Sequence, residues 1–226
     1  MIVGNGLIAR AFSNHEASHD VLIFASGVSN SKEIDFTQYT RERELLRTTI
    51  ESNPSMRCVY FSTSSVLDPL LQQEPYVVHK LACEKMLREL CNDPLILRVS
   101  NVVGKSGNPA TVFNFFKHKI QNDQHFELWS GACRNFIDVD DLVSITDVVL
   151  SNEKTLKSLV LSSPKNYLVS EIVEHIATAL NKRAKYTQVE KGTCHTPDIE
   201  ETLSLYSKHS ISFAPNYLEN LINKYL

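Results

Sequence analysis

The sequence predicts an α/β fold in which helices cover a doubly wound parallel β-sheet. Strand-like and helix-like segments alternate along the chain, a pattern typical of parallel sheets covered by helices. The strand-like segments at residues 21–25 (VLIFA) and 94–99 (PLILRV) are continuous apolar runs, as expected of strands buried on both faces. A chain of 226 residues is long enough to bury a substantial core.

Local sequence patterns predict the strands and helices along the chain. The first apolar run ends at Gly4, and a helix is expected to begin at Leu7. Residues 36–52 place apolar side chains on one helical face and end at Asn53 and Pro54, a typical helix stop. Pro75 suits a first helical position. The predicted strands are residues 1–3, 21–25, 57–61, 94–99, 126–129, 158–161 and 186–189. The predicted helices are residues 7–13, 36–52, 75–91, 112–121, 141–150, 170–180 and 215–225.

The pattern predicts a main domain over residues 1–155 and a small C-terminal α/β cap over residues 156–226. The net charge of −3 argues against a nucleic-acid or polybasic membrane partner. No apolar run approaches the roughly 20 residues that span a bilayer, and the N-terminus lacks a signal-peptide pattern, so we expect a cytoplasmic protein. The five Cys residues show no C-x-x-C spacing, which favours reduced, packed thiols in that compartment.

A glycine-containing turn follows the first predicted strand. Gly4, Gly6 and Ala9 form G-x-G-x-x-A at the start of the first helix. The first glycine permits a tight turn, the second lets a pyrophosphate approach the backbone, and the alanine keeps the helix close to the strand. By itself this motif is a weak signal, because a βα turn without a ligand can look the same.

A tyrosine and a lysine four residues apart begin the helix at 75–91. This spacing places Tyr76 and Lys80 on one helical face, where the cation favours the phenolate and would let Tyr76 exchange a proton near neutral pH. Thr63 lies thirteen residues before Tyr76, at a predicted strand end, where ligands bind in open α/β sheets. We expect His79 to be a solvent-exposed residue of this helix.

These features, in this order, resemble the extended short-chain dehydrogenase/reductase family, the NAD-dependent epimerase/dehydratase group that acts on nucleotide sugars. The resemblance extends from Met1 to about residue 161. Three further stretches carry it: ASGVS at 25–29 resembles the loop after the family's fourth strand, LRVSNVVG at 97–104 resembles L-R-x-x-N-x-x-G, and RNFIDVDD at 134–141 resembles R-D-F-I-H-V-D-D.

The resemblance implies a Rossmann-like nucleotide-binding domain, with part of the substrate site at residues 101–140. It implies NAD or NADP as cofactor and no metal. The implied catalytic residues are Thr63, Tyr76 and Lys80. The implied cofactor-binding residues are Gly4, Gly6, Leu7, Ile8, Ala25, Ser26, Gly27, Ser62, Tyr76 and Lys80. The implied substrate-binding residues are Ser64, Asn101 and Arg134, the last two at the nucleotide diphosphate.

The sequence departs from the family in its N-terminal half. If residues 21–25 form the fourth strand, the second and third strands are missing between Asn14 and His19; alternatively these residues form the second strand and the fourth is deleted. The loop at 25–29 favours the first alignment. No acidic or basic residue closely follows VLIFA, so the choice between NAD and NADP stays open. Ser64 and Ser65 stand where family dehydratases have Asp and Glu, which argues against dehydration.

We therefore expect an NAD(P)-dependent oxidoreductase or epimerase that transfers a hydride at a carbon of a nucleotide-linked sugar, in cell-surface polysaccharide biosynthesis. One alternative is a non-catalytic nucleotide or sugar-nucleotide binding module derived from the family. Another is a reductase for a non-sugar carbonyl compound. The expected partners are a nucleotide sugar and a second copy of the chain, in a homodimer through helices 36–52 and 75–91, with no nucleic acid and no membrane.

Overall fold

A computed structural model describes residues 1–105 and 108–226. The strands of this part are β1 (Ile2–Val3), β2 (Val21–Phe24), β3 (Arg57–Thr63), β4 (Pro94–Val99), β5 (Asn101–Val103), β6 (Phe126–Trp129), β7 (Cys133–Arg134), β8 (Phe136–Asp138), β9 (Ser158–Leu161), β10 (Tyr167–Leu168) and β11 (Tyr186–Val189). The helices are α1 (Leu7–Ala11), α2 (Phe36–Ser52), α3 (Pro75–Leu90), α4 (Val112–Gln121), α5 (Val139–Asn152), α6 (Val169–Ala179), α7 (Glu200–Lys208) and α8 (Tyr217–Tyr225).

The chain forms two compact units. The first contains Met1–Ser100 and Val139–Leu161, and the second contains Asn101–Asp138 and Ser162–Leu226. This division differs from the boundary expected at residue 155. The chain leaves the first unit after β4 and returns to it with α5 and β9, so residues 101–138 belong with the C-terminal segment.

A parallel sheet in the order β1-β2-β3-β4-β9 forms the centre of the first unit. In the doubly wound order 3-2-1-4-5-6, the strand between the first and the fifth is the fourth. Because β2 pairs with β1 on one side and β3 on the other, it occupies the fourth-strand position, as the preferred alignment predicted. A short connection through a 3₁₀ turn, Ser13–His15, replaces the missing units, and β1 is an edge strand of the described sheet.

Helices α2 and α3 pack against this sheet. α2 begins after Asp35, whose carboxylate accepts a hydrogen bond from the Thr37 amide at 2.9 Å, a typical N-cap. α3 begins with Pro75 at its first position. Their inner faces join β2, β3 and β4 in one apolar cluster, and each fully buried aliphatic side chain contributes about 1.5–3 kcal/mol to it. The buried members of the cluster are Leu22, Phe24, Leu46, Ile50, Met56, Cys58, Tyr60, Cys83, Leu87 and Ile96.

In its described residues, the second unit contains three two-stranded sheets, β5–β8, β6–β11 and β7–β10, around an apolar core that includes Phe116, Phe136 and Ile172. Helix α7 was not predicted from the sequence. Cys133 and Cys194 form a disulfide with 4.8 Å between their Cα atoms, so the prediction of five reduced thiols is wrong for this pair. In the residues described, no helix is both long and apolar enough to cross a bilayer.

Candidate active site

The turns predicted to bind the cofactor lie at the C-terminal ends of the parallel strands β1, β2 and β3. Val3 aligns with Phe24, and Phe24 with Tyr60, so the segments after β1 and β2 emerge side by side. Gly4 has a φ of +131°, and a Cβ there would lie 2.4 Å from the Ala25 carbonyl oxygen. Only glycine therefore permits this turn to pack against the next loop.

The turn at Gly4–Gly6 is exposed. A Cβ on Gly6 would meet no atom within 4 Å, so the backbone here is open to a ligand. Leu7 and Ile8 form the first, half-buried turn of α1, which is only five residues long. An open backbone turn of this kind fits the close approach of a pyrophosphate.

The three predicted catalytic side chains come together in the first unit. Thr63 ends β3, and Tyr76 and Lys80 lie one turn apart on α3. The Thr63 hydroxyl lies near enough to the Tyr76 phenol to lower its pKa, and the Lys80 ammonium lies 5.8 Å from the centre of the Tyr76 ring. A phenol, a hydroxyl and a cation are thus grouped where a carbonyl or alcohol could exchange a proton.

Lys80 is 2% exposed. Its Nζ lies 2.9 Å from Glu42 Oε1, 3.2 Å from the Tyr60 hydroxyl and 3.4 Å from the Phe61 carbonyl oxygen. An ammonium has three hydrogens to donate, so these acceptors satisfy all of them. A bond from Lys80 to a cofactor ribose would require the ammonium to give up one of them.

Glu42 is the centre of this buried network, and it was not among the site residues predicted from the sequence. Its Oε1 accepts from Tyr60 at 2.7 Å and from Lys80, while its Oε2 accepts from the Val28 amide at 2.6 Å and from His79 Nε2 at 2.9 Å. A carboxylate offers about four lone-pair sites, and all are used. The burial of this position could have been predicted from helical spacing, because Glu42 lies three residues after Tyr39 and four before Leu46 on the buried face of α2.

His79 is buried, so its interpretation as a solvated residue is wrong. Since a carboxylate only accepts hydrogen bonds, His79 donates its Nε2 hydrogen to Glu42. Its ring stacks on Tyr39 at 4.5 Å. Glu42, His79 and Cys83 place ligand-type atoms within 4.8 Å of one another, but the four donors already occupy the Glu42 oxygens. The cluster is therefore a hydrogen-bond network that includes an ammonium.

Burial and the neighbouring charges together shift the pKa of Tyr76. Burial raises the pKa of Tyr76 above its ordinary value of 10; the Lys80 cation lowers it, the Glu42 charge raises it and the Thr63 hydroxyl lowers it, with a net rise. This direction is opposite to the one expected from the Tyr76–Lys80 spacing. The physical reason is that burial disfavours the phenolate and the Glu42 carboxylate offsets the charge of the ammonium.

The serines of the predicted site have separate surroundings. Ser62 is buried and donates to Glu84 Oε1 at 2.7 Å; Glu84 is also held by Arg98 at 2.7 Å. Ser64 is half-buried in the 3₁₀ turn after Thr63. The hydroxyl and carbonyl oxygens of Ser26 accept from the Arg41 guanidinium at 3.2 and 3.1 Å.

The other predicted substrate residues lie in the second unit. Asn101 donates to the Asn135 carbonyl oxygen at 2.8 Å, and Arg134 donates to the Cys133 carbonyl oxygen at 2.7 Å. The structure therefore divides the predicted substrate residues between the two units, with Ser64 in the first.

A model of the NAD dependent epimerase/dehydratase family matches residues 7–162. The chain belongs to this family. A search of curated protein sequences gave no significant match.

Solved structures of the same fold have low sequence identity to this family member. UDP-glucuronic acid 4-epimerase of Bacillus cereus, in complex with NAD, has a TM-score of 0.74 at 19% identity, covering 91% of this chain and 72% of that one. UDP-glucose 4-epimerase of Thermus thermophilus, with NAD, has 0.70 at 15%, covering 96% and 80%. dTDP-glucose 4,6-dehydratase of Bacillus anthracis, with NAD, has 0.68 at 15%, covering 91% and 72%. At these identities the likeness shows a Rossmann-like α/β fold.

One departure from the family motif has a structural role here. Asp138 stands where the family's R-D-F-I-H-V-D-D motif has His. Its carboxylate accepts from Lys224 and from the Tyr225 hydroxyl, both at 2.7 Å. In this family member the residue therefore anchors α8 within the second unit.

Proposed function

We propose that this family member is an NAD(P)-dependent oxidoreductase or epimerase that acts on a nucleotide-linked sugar. The main support is the grouping of the Thr63 hydroxyl, the Tyr76 phenol and the Lys80 ammonium at the end of β3. Family membership and neighbours crystallised with NAD add to this support. A pure binding module would have no need for these three side chains together.

The loops fit the reacting half of a nicotinamide cofactor better than its adenosine half. Gly4, Gly6, Leu7 and Ile8 would hold the pyrophosphate. Ala25, Ser26, Gly27 and Ser62 would line the nicotinamide side. No strand lies beyond β1 in the described sheet to carry a residue for the adenosine ribose. When bound, the nicotinamide supplies the hydride chemistry.

Tyr76 is the proposed proton donor and acceptor. Its hydroxyl would give a proton to a sugar carbonyl, or take one from a sugar hydroxyl, while Thr63 orients the reacting oxygen. Lys80 provides a positive charge close to Tyr76. Its N–H groups already donate to acceptors within the protein. Ser64, Asn101 and Arg134 are proposed to bind the substrate, with the Arg134 guanidinium suited to a diphosphate.

Ser64 and Ser65 in place of Asp and Glu favour epimerisation or reduction over dehydration. A role in cell-surface polysaccharide biosynthesis and a cytoplasmic location belong to the same proposal. NAD and NADP both remain candidates.

A homodimer through α2 and α3 is also proposed. Both helices expose apolar side chains: Phe36 is 69% exposed and Val78 is 50% exposed. Sedimentation velocity should show a dimer for the wild-type chain and a monomer for Phe36→Asp with Val78→Asp. A monomeric wild-type chain would contradict this part of the proposal.

The central test is Tyr76→Phe. Turnover should fall by about 10²–10⁴-fold while NADH binding, followed by fluorescence, stays within twofold. Tyr186→Phe, at an exposed position of the second unit, is the matched control and should leave both unchanged. Activity is first sought by a thermal-shift screen of UDP- and dTDP-sugars with each cofactor, followed by product analysis.

The alternative functions predict different results in these experiments. Undiminished turnover in Tyr76→Phe would exclude the assigned chemistry. Binding of a sugar nucleotide without turnover would favour the binding module. Turnover of a carbonyl compound without any thermal shift by nucleotide diphosphates would favour the non-sugar reductase.

A further inference from the structure

We propose that Glu42 is a positioning residue of the acid/base site: its two carboxylate oxygens hold the Lys80 ammonium beside the Tyr76 ring and the Val28 amide of the loop after β2. This inference deepens the proposed function and rests on it, because it assigns the source of control over the proposed proton donor. It also links the loop after β2 to the acid/base pair.

Glu42 is fully buried on α2, and its two carboxylate oxygens contact different groups. Oε1 faces the ammonium and Tyr60, whereas Oε2 faces Val28 and His79. Moving this side chain would release the ammonium and the loop backbone at the same time.

The loop after β2 packs against the Glu42–Lys80 ion pair. A Cβ on Gly27 would lie 2.7 Å from Lys80 Nζ and 3.1 Å from Glu42 Oε1. The loop backbone therefore lies directly against the ion pair. Arg41, the residue before Glu42 on α2, donates to Ser26, so two consecutive residues of α2 hold the segment proposed to line the nicotinamide side.

The Glu42 carboxylate also acts on Tyr76 electrostatically, through Lys80. The ammonium lies 5.8 Å from the centre of the Tyr76 ring and favours the phenolate, and the Glu42 carboxylate, 2.9 Å from the same ammonium, opposes this effect. Without the carboxylate, the phenolate would become the counter-ion of Lys80, and ionisation of Tyr76 would be easier. The titratable or charged side chains acting on the network come from α2, β3, α3 and the loop before α2. They are Glu33, Tyr39, Glu42, Arg43, Tyr60, Tyr76, His79, Lys80 and Cys83.

The test is a direct titration of the Tyr76 phenol in the complete chain without cofactor, by NMR of protein labelled with ¹³C at the tyrosine ζ carbon. Tyr76→Phe assigns the signal. The wild-type signal should remain that of a neutral phenol up to about pH 10. In Glu42→Gln, the phenol should ionise at a lower pH, with an ionisation constant at least about tenfold larger.

Glu84→Gln is the matched control, because Glu84 is an equally buried, ion-paired carboxylate. It should leave the Tyr76 titration at the wild-type pH even if it destabilises the fold.

Equal titration of Tyr76 in wild type and Glu42→Gln would overturn the proposal, as would a shift of the same size in Glu84→Gln. If Glu42→Gln does not fold, Glu42→Asp takes its place, because the shorter side chain withdraws the carboxylate from Lys80 while keeping its charge; an unshifted Tyr76 titration in that variant would overturn the proposal. The measurement needs neither turnover nor cofactor. Failure of the proposed enzyme function, seen as absent turnover with a normal Tyr76 titration, is therefore distinguishable from failure of this inference.

Discussion

Glu42 and Lys80 form an ion pair with 2.9 Å between Oε1 and Nζ, although neither side chain is more than 2% exposed. Two charges removed from water are tolerated only where close pairing and further hydrogen bonds compensate for their desolvation. Tyr60, His79 and the Val28 amide provide those bonds to Glu42. The pair therefore couples the stability of the fold to the chemistry of the site.

Removal of the carboxylate should destabilise the protein strongly. Glu42→Ala leaves a buried ammonium without its anion, and loss of one partner of such a pair costs about 3–5 kcal/mol. Urea unfolding measures the change in the free energy of unfolding. Glu44→Ala, at an exposed position of the same helix, should change it by less than about 0.5 kcal/mol. A loss below about 1 kcal/mol in Glu42→Ala would mean that the pair is not intact in solution.

The same carboxylate should make stability depend on acid pH. Despite its burial, Lys80 and the hydrogen bonds from His79 and Val28 hold the pKa of Glu42 well below its usual value of 4.5. A lowered folded-state pKa gives stability that is present above the unfolded-state value and is lost as pH falls towards the folded-state value. The difference in unfolding free energy between wild type and Glu42→Gln should therefore shrink steadily below about pH 4.5. A constant difference from pH 7 to pH 3 would contradict this.

Two glycines should respond oppositely to alanine. Gly27→Ala places a Cβ against the Lys80 ammonium, which three acceptors hold in place, so we expect a loss of about 1–3 kcal/mol in stability. Gly6→Ala meets open space and should leave stability unchanged while weakening NADH binding. Thermal unfolding and NADH fluorescence titration on both variants check this pair. Unweakened NADH binding by Gly6→Ala would remove that turn from the cofactor site.

The edge position of β1 should weaken discrimination between cofactors. The residue that reads the adenosine ribose in doubly wound folds follows a second strand, and β2 here occupies the fourth-strand position. NADH and NADPH should therefore bind with dissociation constants within about tenfold of each other, a difference of about 1.4 kcal/mol. Fluorescence titration measures both. A preference above a hundredfold would show that other residues read this ribose.

The disulfide should appear in the number of free thiols. Mass analysis after alkylation of the denatured, unreduced protein should show three modified cysteines, Cys58, Cys83 and Cys91, and five after reduction. Cys194→Ser should release Cys133 and show four without reductant. Five modified cysteines in the unreduced wild-type protein would mean that the pair is reduced.

Much of the first unit could be predicted from local patterns. Continuous apolar runs indicated β2 and β4 as buried strands, and one-sided periodicity gave α2 its observed bounds, Phe36–Ser52. The Tyr76–Lys80 spacing placed both side chains on one face of α3. In the second unit, α7 escaped prediction, and the strand pairs β5–β8 and β7–β10 consist of only two or three residues each.

The sequence by itself determined the alternation of elements, the glycine turn and the placement of Tyr76 and Lys80 on one helical face, because these depend on spacing along the chain. Only the tertiary structure decided that β2 lies between β1 and β3, that Glu42 neutralises Lys80, and that Cys133 meets Cys194 across 61 residues of sequence. Strand neighbours and buried ion pairs are non-local, since they depend on which faces meet when the chain folds. For the same reason, the pKa of Tyr76 rises where its spacing from Lys80 alone predicted a fall.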